Sequence, residues 1–105
     1  MTRHPAALGL PDANQNAIVS RYEAHLCLTF DAHKMGGGFP DLVVAIPTQR
    51  GRVLQLVEVK TEDGALGPAQ LRFARDFGPG LVVVVRNVLE VDAHVEVIQR
   101  RFKGN

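Results

Sequence analysis

The sequence predicts an α/β fold in which a mixed central sheet of about four strands is flanked by helices. Three observations support this fold class: two β-rich stretches flank a turn, a proline-initiated helix leads into a short apolar run, and apolar residues recur at helical spacing near both ends. A chain of 105 residues is long enough for one hydrophobic core. We therefore expect a single domain spanning residues 1–105.

The N-terminal part predicts a helix followed by a strand. Residues 13–25 form the predicted helix, and Asp12 can cap its N-terminus. Residues 26–30 predict the first strand, which could extend to residue 34. The expected apolar side of the helix consists of Ala17, Ile18, Tyr22 and Leu26.

A hairpin is predicted at the centre of the chain. Residues 41–46 are rich in β-formers, residues 47–51 indicate a reversal, and residues 52–60 alternate again. A tight hairpin would return Asp41 to the side of Glu58. Because strand side chains repeat with period two, Glu58 and Lys60 share one face with Leu54 and Leu56, which predicts that they project past a buried apolar stretch.

Two carboxylates and an ammonium at one end of adjacent strands suit phosphodiester hydrolysis. Mg²⁺ is typically held by one or two carboxylates and by substrate phosphate oxygens, so Asp41 and Glu58 would suffice as protein ligands. Lys60 would hold the attacking water and offset the negative charge of the transition state. A simpler interpretation is a turn plus a surface ion pair worth roughly 0.2–1 kcal/mol. The conjunction of these residues with a glycine-rich approach favours a nuclease-type site.

The C-terminal part predicts a helix, a strand and a second helix. Pro68 suits the first turn of a helix over residues 68–77, which also contains Gln70. Residues 81–85 are five apolar β-formers, which predicts a strand buried on both faces in the middle of the sheet and parallel to the Glu58 strand. The last helix carries an apolar stripe that could dock on the sheet or share in a dimer interface. The stripe consists of Val88, Val91, Val95, Ile98 and Phe102.

These motifs resemble those of the PD-(D/E)XK nuclease superfamily, and within it the small VRR-NUC type related to Holliday junction resolvases. The similar segments are residues 12–15, the Gly-Gly-Gly-Phe-Pro-Asp segment 36–41, the Leu-Val-Glu-Val-Lys segment 56–60 and residues 67–70. The resemblance implies a restriction-endonuclease-like fold. It also implies that Asp41 and Glu58 bind the metal, that Lys60 is catalytic and that Gln70 supports the site.

The resemblance further implies a Mg²⁺-dependent DNA endonuclease in which Mn²⁺ can substitute. A structured or branched DNA substrate and a homodimer are the corresponding expectations. Many relatives carry an acidic residue on the first helix that assists metal binding. Here the matching region contains Asn14 and Gln15, and Glu23 lies two turns further along. Gln15 is the candidate for this position.

Substrate contacts are expected from a small set of loop and helix residues. A net charge of +1 argues against binding nucleic acid by bulk electrostatics, so local groups must do so. The glycine run is too short for a P-loop but allows close backbone approach. A solvated mixed-charge surface is the alternative interpretation of the basic residues. The candidates are Gln15, His33, Lys34, Gly37, Gly38, Arg72 and Arg75.

Composition excludes several other classes. No stretch approaches the roughly 20 apolar residues of a membrane span, and the N-terminus lacks the apolar region of a signal peptide. The single cysteine, Cys27, precludes an intramolecular disulfide, suits the reducing cytoplasm and argues against a closed zinc site. Two alternatives to a DNA nuclease stay open: a catalytically weak nucleic-acid-binding or assembly subunit, and an RNA-cleaving enzyme.

Overall fold

The computed structural model describes residues 13–104 as one four-stranded mixed sheet with three helices. The strands lie in chain order, with β1–β2 and β2–β3 antiparallel and β3–β4 parallel. This arrangement confirms the predicted α/β fold. The elements are α1 (Ala13–Ala24), β1 (Leu28–Asp31), β2 (Leu42–Thr48), β3 (Gly51–Val59), α2 (Pro68–Phe77), β4 (Val82–Val85) and α3 (Val88–Arg101).

The two faces of the sheet differ in how they are covered. Helices α1 and α3 pack against each other and against one face, which we call the helix-covered face. The hydrophobic core lies between these two helices and the sheet, where Leu42, Val44 and Val57 are fully buried. On the opposite face, which we call the open face, Leu28, Phe30 and Leu54 are 60%, 65% and 63% exposed. The prediction that Leu54 and Leu56 line a buried stretch is therefore wrong, because they lie on the open face.

Strand β4 lies at the edge of the sheet and not in its middle. Val85 is buried, whereas Val82, Val83 and Val84 are only half-buried. The strand does run parallel to β3, as the strand–helix–strand order predicts. Within residues 13–104 no further strand pairs with its outer edge, so the expected central position is corrected to an edge.

The turn after α1 moves the start of the first strand from Leu26 to Leu28. The Cys27 amide donates to the Tyr22 carbonyl and the Leu26 amide to the Glu23 carbonyl, which is the pattern of a Schellman C-cap. Leu26 occupies the left-handed position of this cap, with φ 65°, and is 74% exposed. It therefore does not extend the apolar side of α1 as predicted.

The remaining predictions about packing have mixed outcomes. On α1, Ile18 and Tyr22 are buried, whereas Ala17 is exposed. On α3, the stripe of Val91, Val95 and Ile98 is buried against the protein's own core, so the fold itself covers the surface that was considered for a dimer interface. Cys27 is a buried free thiol within the core.

Two further predictions concern the ends of the chain and membrane association. The Asp12 cap of α1 lies outside the described residues. In the part of the chain that the structure describes, none of the helices has the length and apolarity needed to cross a membrane.

Candidate active site

The register of the β2–β3 hairpin places Asp41 beside Glu58. Leu42 pairs with Val57, so the residue before β2 faces the next residue of β3 across the ladder. The Asp41 carboxylate is fixed there, since its Oδ2 accepts a hydrogen bond from the Val59 amide at 2.9 Å. Both acidic side chains thus lie at one end of the open face.

Glu58 is the centre of the cluster and is only 3% exposed. Its Oε2 accepts a hydrogen bond from Gln70 Nε2 at 2.8 Å and lies 3.6 Å from Lys60 Nζ. Gln70 is oriented in turn by the start of α2, because its Oε1 accepts from the Gly67 amide at 2.8 Å. The structure therefore brings together the four side chains that the sequence singled out, Asp41, Glu58, Lys60 and Gln70, while their catalytic roles stay predictions.

The electrostatics of this cluster favour an additional positive charge. Burial, followed by the charge of Asp41 and a hydrogen bond with it, raises the pKa of Glu58 to about 7, and Lys60 offsets only part of that rise. Near neutral pH the two carboxylates therefore do not ionise together without cost. A cation placed between them would remove that cost, so the donor set fits a divalent metal ion.

The first helix supplies an amide and not a carboxylate to this end of the sheet. Asn14 Nδ2 donates to the carbonyl oxygens of Lys60 at 3.0 Å and Arg86 at 3.3 Å, which ties α1 to the ends of β3 and β4. Glu23 lies near the other end of α1 and accepts from Thr29 Oγ1. Among residues 13–104 no group of three or more His, Cys, Asp or Glu side chains forms a metal site. Asp41 and Glu58 are therefore the candidate protein ligands for a metal ion at this end of the sheet.

A cavity of about 360 Å³ opens beside Asp41. The β1–β2 loop forms one wall and the start of α2 forms the other. The lining residues are His33, Gly36, Gly38, Phe39, Asp41, Gly67, Pro68, Ala69 and Gln70.

The glycine run brings the β1–β2 loop into contact with α2. Gly36, Gly37 and Gly38 all have positive φ, between 66° and 84°. A Cβ on Gly38 would lie 2.3 Å from the Ala69 carbonyl oxygen, whereas Cβ atoms on Gly36 and Gly37 would meet nothing within 4 Å. Gly38 is therefore required for loop–helix contact, and Gly37, which does not line the cavity, needs only its backbone conformation.

The other predicted substrate-binding residues lie on α1, in the β1–β2 loop and on α2. Gln15 is 7% exposed and forms a hydrogen bond with the Asp31 carboxylate. Lys34 is exposed in the β1–β2 loop. Arg72 and Arg75 are exposed on α2, where Arg75 Nε donates to Asp76 at 3.0 Å. Their contacts with a substrate stay predictions.

Two polar contacts near the site were not predicted from the sequence, the Asp31–His33 pair and the bonds made by Asn14. Asp31 ends β1 and pairs with Leu42, which places it at the same end of the sheet as Asp41. The Asp-x-His spacing of residues 31–33, at the end of a predicted strand, is the signal that could have identified it. The bonds from Asn14 to two carbonyl oxygens depend on how α1 crosses the sheet, for which no local signal exists.

Comparisons with known proteins identify the family of this chain. The family model for the VRR-NUC domain matches residues 7–87. A solved structure described as a VRR-NUC domain is 35% identical over 78% of this chain and 89% of that chain, with a TM-score of 0.58. No curated protein matches the chain significantly. With its two paired carboxylates, lysine and glutamine at one end of a mixed sheet, the chain belongs to the VRR-NUC family, a group of nuclease-type domains within the PD-(D/E)XK superfamily.

Proposed function

We propose that the protein is a metal-dependent DNA endonuclease that hydrolyses phosphodiester bonds. The observation that carries this proposal is the buried Glu58 carboxylate beside Asp41, with Lys60 Nζ 3.6 Å and Gln70 Nε2 2.8 Å from the same Glu58 oxygen. A stable fold rarely buries a carboxylate next to a second one unless a cation or a proton compensates its charge.

Each of the four side chains has a defined task in this proposal. Asp41 and Glu58 would hold Mg²⁺, with Mn²⁺ able to substitute. The bound cation would supply Lewis-acid activation of water and of the phosphoryl group. Lys60 orients the attacking water and offsets the charge that develops on the phosphoryl oxygens. Gln70 holds the Glu58 carboxylate in place by its hydrogen bond.

DNA would approach the cavity between the β1–β2 loop and α2. Gly36 has no side chain and open space around it, so a phosphate can approach its backbone closely. Lys34, Arg72 and Arg75 are exposed on the same loop and helix and would contact phosphates. Similarity to resolvase-related domains favours structured or branched DNA as the substrate.

A homodimer is part of the proposal, and the open face supports it. Leu28, Phe30 and Leu54 are each at least 60% exposed and lie on the face that also bears Asp41 and Glu58. Monomeric proteins seldom expose such contiguous apolar surface. A second copy presents an identical apolar face, which suits a two-fold interface. Sedimentation should show a dimer that Phe30→Glu dissociates, and a strictly monomeric parent would contradict this part.

The nuclease proposal is tested by cleavage of a labelled panel of duplex, single-stranded, flapped, nicked and four-way DNA, with an RNA arm. Cleavage should require Mg²⁺ or Mn²⁺. Lys60→Ala should lower turnover on the order of 10³-fold while the affinity for DNA is retained. Lys103→Ala is the matched control, because Lys103 lies near the hairpin turn at the other end of β2 and should be dispensable.

A catalytically weak nucleic-acid-binding subunit is the second candidate. The observation that favours it is that α1 brings an amide, Asn14, and not a carboxylate to this end of the sheet. This candidate predicts metal-independent binding, no cleavage on any substrate and no change with Lys60→Ala. Cleavage of the RNA arm alone would instead assign the activity to RNA.

A further inference from the structure

The loop that precedes β2 carries a second polar pair next to the candidate site. The Ala32 amide donates to the Asp41 carbonyl oxygen at 2.7 Å, which fixes this loop against the start of β2. His33 follows directly and lines the cavity that also contains Asp41 and Gln70. The imidazole is thus at the wall of the space that a substrate would enter.

His33 is oriented by hydrogen bonds to Asp31, whose side chain is partly exposed. Its Nδ1 lies 2.5 Å from Asp31 Oδ1, and its backbone amide donates to the same oxygen at 3.0 Å. The Asp31 carboxylate also forms a hydrogen bond with Gln15, which is buried. A carboxylate on one ring nitrogen orients an imidazole and stabilises its protonated form. Because Nδ1 faces Asp31, any proton given to a substrate would leave from Nε2.

The chemistry of the cavity lining leaves one side chain suited to donate a proton. Among the nine residues that line this cavity, only His33 and Asp41 have ionisable side chains. Asp41 is a carboxylate that accepts from the Val59 amide and has the role of a metal ligand in the proposed function. Lys60 is paired with Glu58 at 3.6 Å.

We propose that His33, oriented by Asp31, is the general acid that protonates the leaving oxygen of the phosphodiester; this inference rests on the proposed function. Water adds its oxygen to phosphorus and gives one proton to solvent. The bond between phosphorus and the leaving oxygen breaks, and its electron pair goes to that oxygen. The imidazolium Nε2 delivers a proton there, and neutral His33 recovers a proton from solvent.

The test compares an ordinary DNA substrate with two analogues in which sulfur replaces the bridging 3′ or 5′ oxygen at the cleaved position. A leaving thiolate needs no proton, so a general acid is dispensable for the analogue whose sulfur is the leaving atom. With Mn²⁺, His33→Ala should cleave the ordinary DNA about 10²–10⁴-fold more slowly than the parent. On the matching sulfur analogue the deficit should shrink to within about tenfold. Asp31→Asn should show a smaller deficit that sulfur also relieves.

His25→Ala is the matched control, because His25 Nε2 also pairs with an aspartate, Asp92, at 2.7 Å but lies beyond the other end of α1. It should equal the parent on all substrates. Each deficit ratio is measured on one preparation, so partial misfolding of a variant cancels. Equal deficits of His33→Ala on oxygen and sulfur substrates, or no deficit on either, would overturn the general-acid role alone. A parent that cuts none of the substrates would overturn the proposed function and this inference together.

Discussion

Strand β3 carries two buried polar clusters, one on each face of the sheet, and they differ in charge. On the helix-covered face, the Tyr22 hydroxyl donates to His94 Nδ1 at 2.7 Å, and His94 Nε2 donates to Gln55 Oε1 at 2.9 Å. We call these three residues the core cluster. On the open face, Glu58 contacts Asp41, Lys60 and Gln70, which together form the site cluster.

The core cluster is neutral, and its polar side-chain atoms pair with one another or, for Gln55 Nε2, with backbone carbonyl oxygens. Burial lowers the pKa of His94 to about 4, so the ring stays uncharged at neutral pH. In the site cluster, burial and the neighbouring Asp41 raise the pKa of Glu58 to about 7. The same strand therefore carries one neutral polar cluster that joins the helices to the sheet and one charged cluster whose charge a cation would balance in the proposed function.

The largest expected effect separates activity from stability. Glu58→Gln keeps the size of the side chain but removes a proposed metal ligand, so cleavage should fall on the order of 10³-fold or more. The same change removes a costly buried charge, so the free energy of unfolding at pH 8 without metal should rise by about 1–3 kcal/mol. Urea titrations and cleavage assays check both. A variant that is less stable than the parent would show that Glu58 is compensated without a cation.

The two clusters should respond to pH in opposite directions. Glu58 has a pKa of about 7 in the fold against 4.5 for the free group, so the stability it contributes is present below pH 4.5 and is lost as pH rises towards 7. His94 has a pKa of about 4 against 6.5, so its contribution is present above pH 6.5 and is lost as pH falls towards 4.

Unfolding free energies measured between pH 4 and 8 should therefore vary little in the metal-free parent. In Glu58→Gln the unfolding free energy should only decrease as the pH is lowered, because the contribution of His94 remains. Saturating Mg²⁺ should stabilise the parent most at the alkaline end, where Glu58 would otherwise carry an uncompensated charge. A Glu58→Gln curve with the shape of the parent's would contradict the assignment of opposite contributions.

Breaking the core cluster should affect stability alone. Tyr22→Phe removes the hydroxyl and leaves His94 Nδ1 without its donor, which should cost about 1–3 kcal/mol of unfolding free energy. Cleavage per folded molecule should stay unchanged, because Tyr22 contacts the face opposite the site. Loss of turnover with full stability would show that the two clusters are coupled through β3.

The smallest expected effects come from the loop that contacts α2. Gly37→Ala and Gly38→Ala share the strain of a left-handed residue, about 1–2 kcal/mol. Only Gly38→Ala adds a clash with the Ala69 carbonyl oxygen, which should displace the start of α2 and with it Gln70. Gly38→Ala should therefore lose roughly tenfold more activity than Gly37→Ala. Equal losses would mean that the loop–helix contact does not position Gln70.

The site was predictable because the hairpin is local. The register of the hairpin is determined by its turn residues and by the number of residues between Asp41 and Glu58. The two carboxylates therefore lie side by side independently of the rest of the fold. The position of Gln70 near the site is predictable because Pro68 marks the start of α2, which lies just beyond the strand that ends at Lys60.

Features that depend on distant packing were not predictable from local pattern. A run of valines is compatible with both a central strand and an edge strand. Strand β4 is an edge strand because, within the described residues, no further strand pairs with its outer side. The apolar side chain of Leu26 predicts a strand position, yet the cap of α1 turns this residue outward. The Asp31 contact with His33 required knowing where β1 ends.

Calorimetric titration of Mn²⁺ into the metal-free protein at pH 7.5 tests the central claim most directly. The parent should bind the ion, Asp41→Asn should weaken binding at least about tenfold, and Asp92→Asn, a surface change remote from the site, should bind like the parent. A parent that takes up no Mn²⁺, or an Asp41→Asn variant that binds as well as the parent, would contradict the assignment of Asp41 and Glu58 as a cation site.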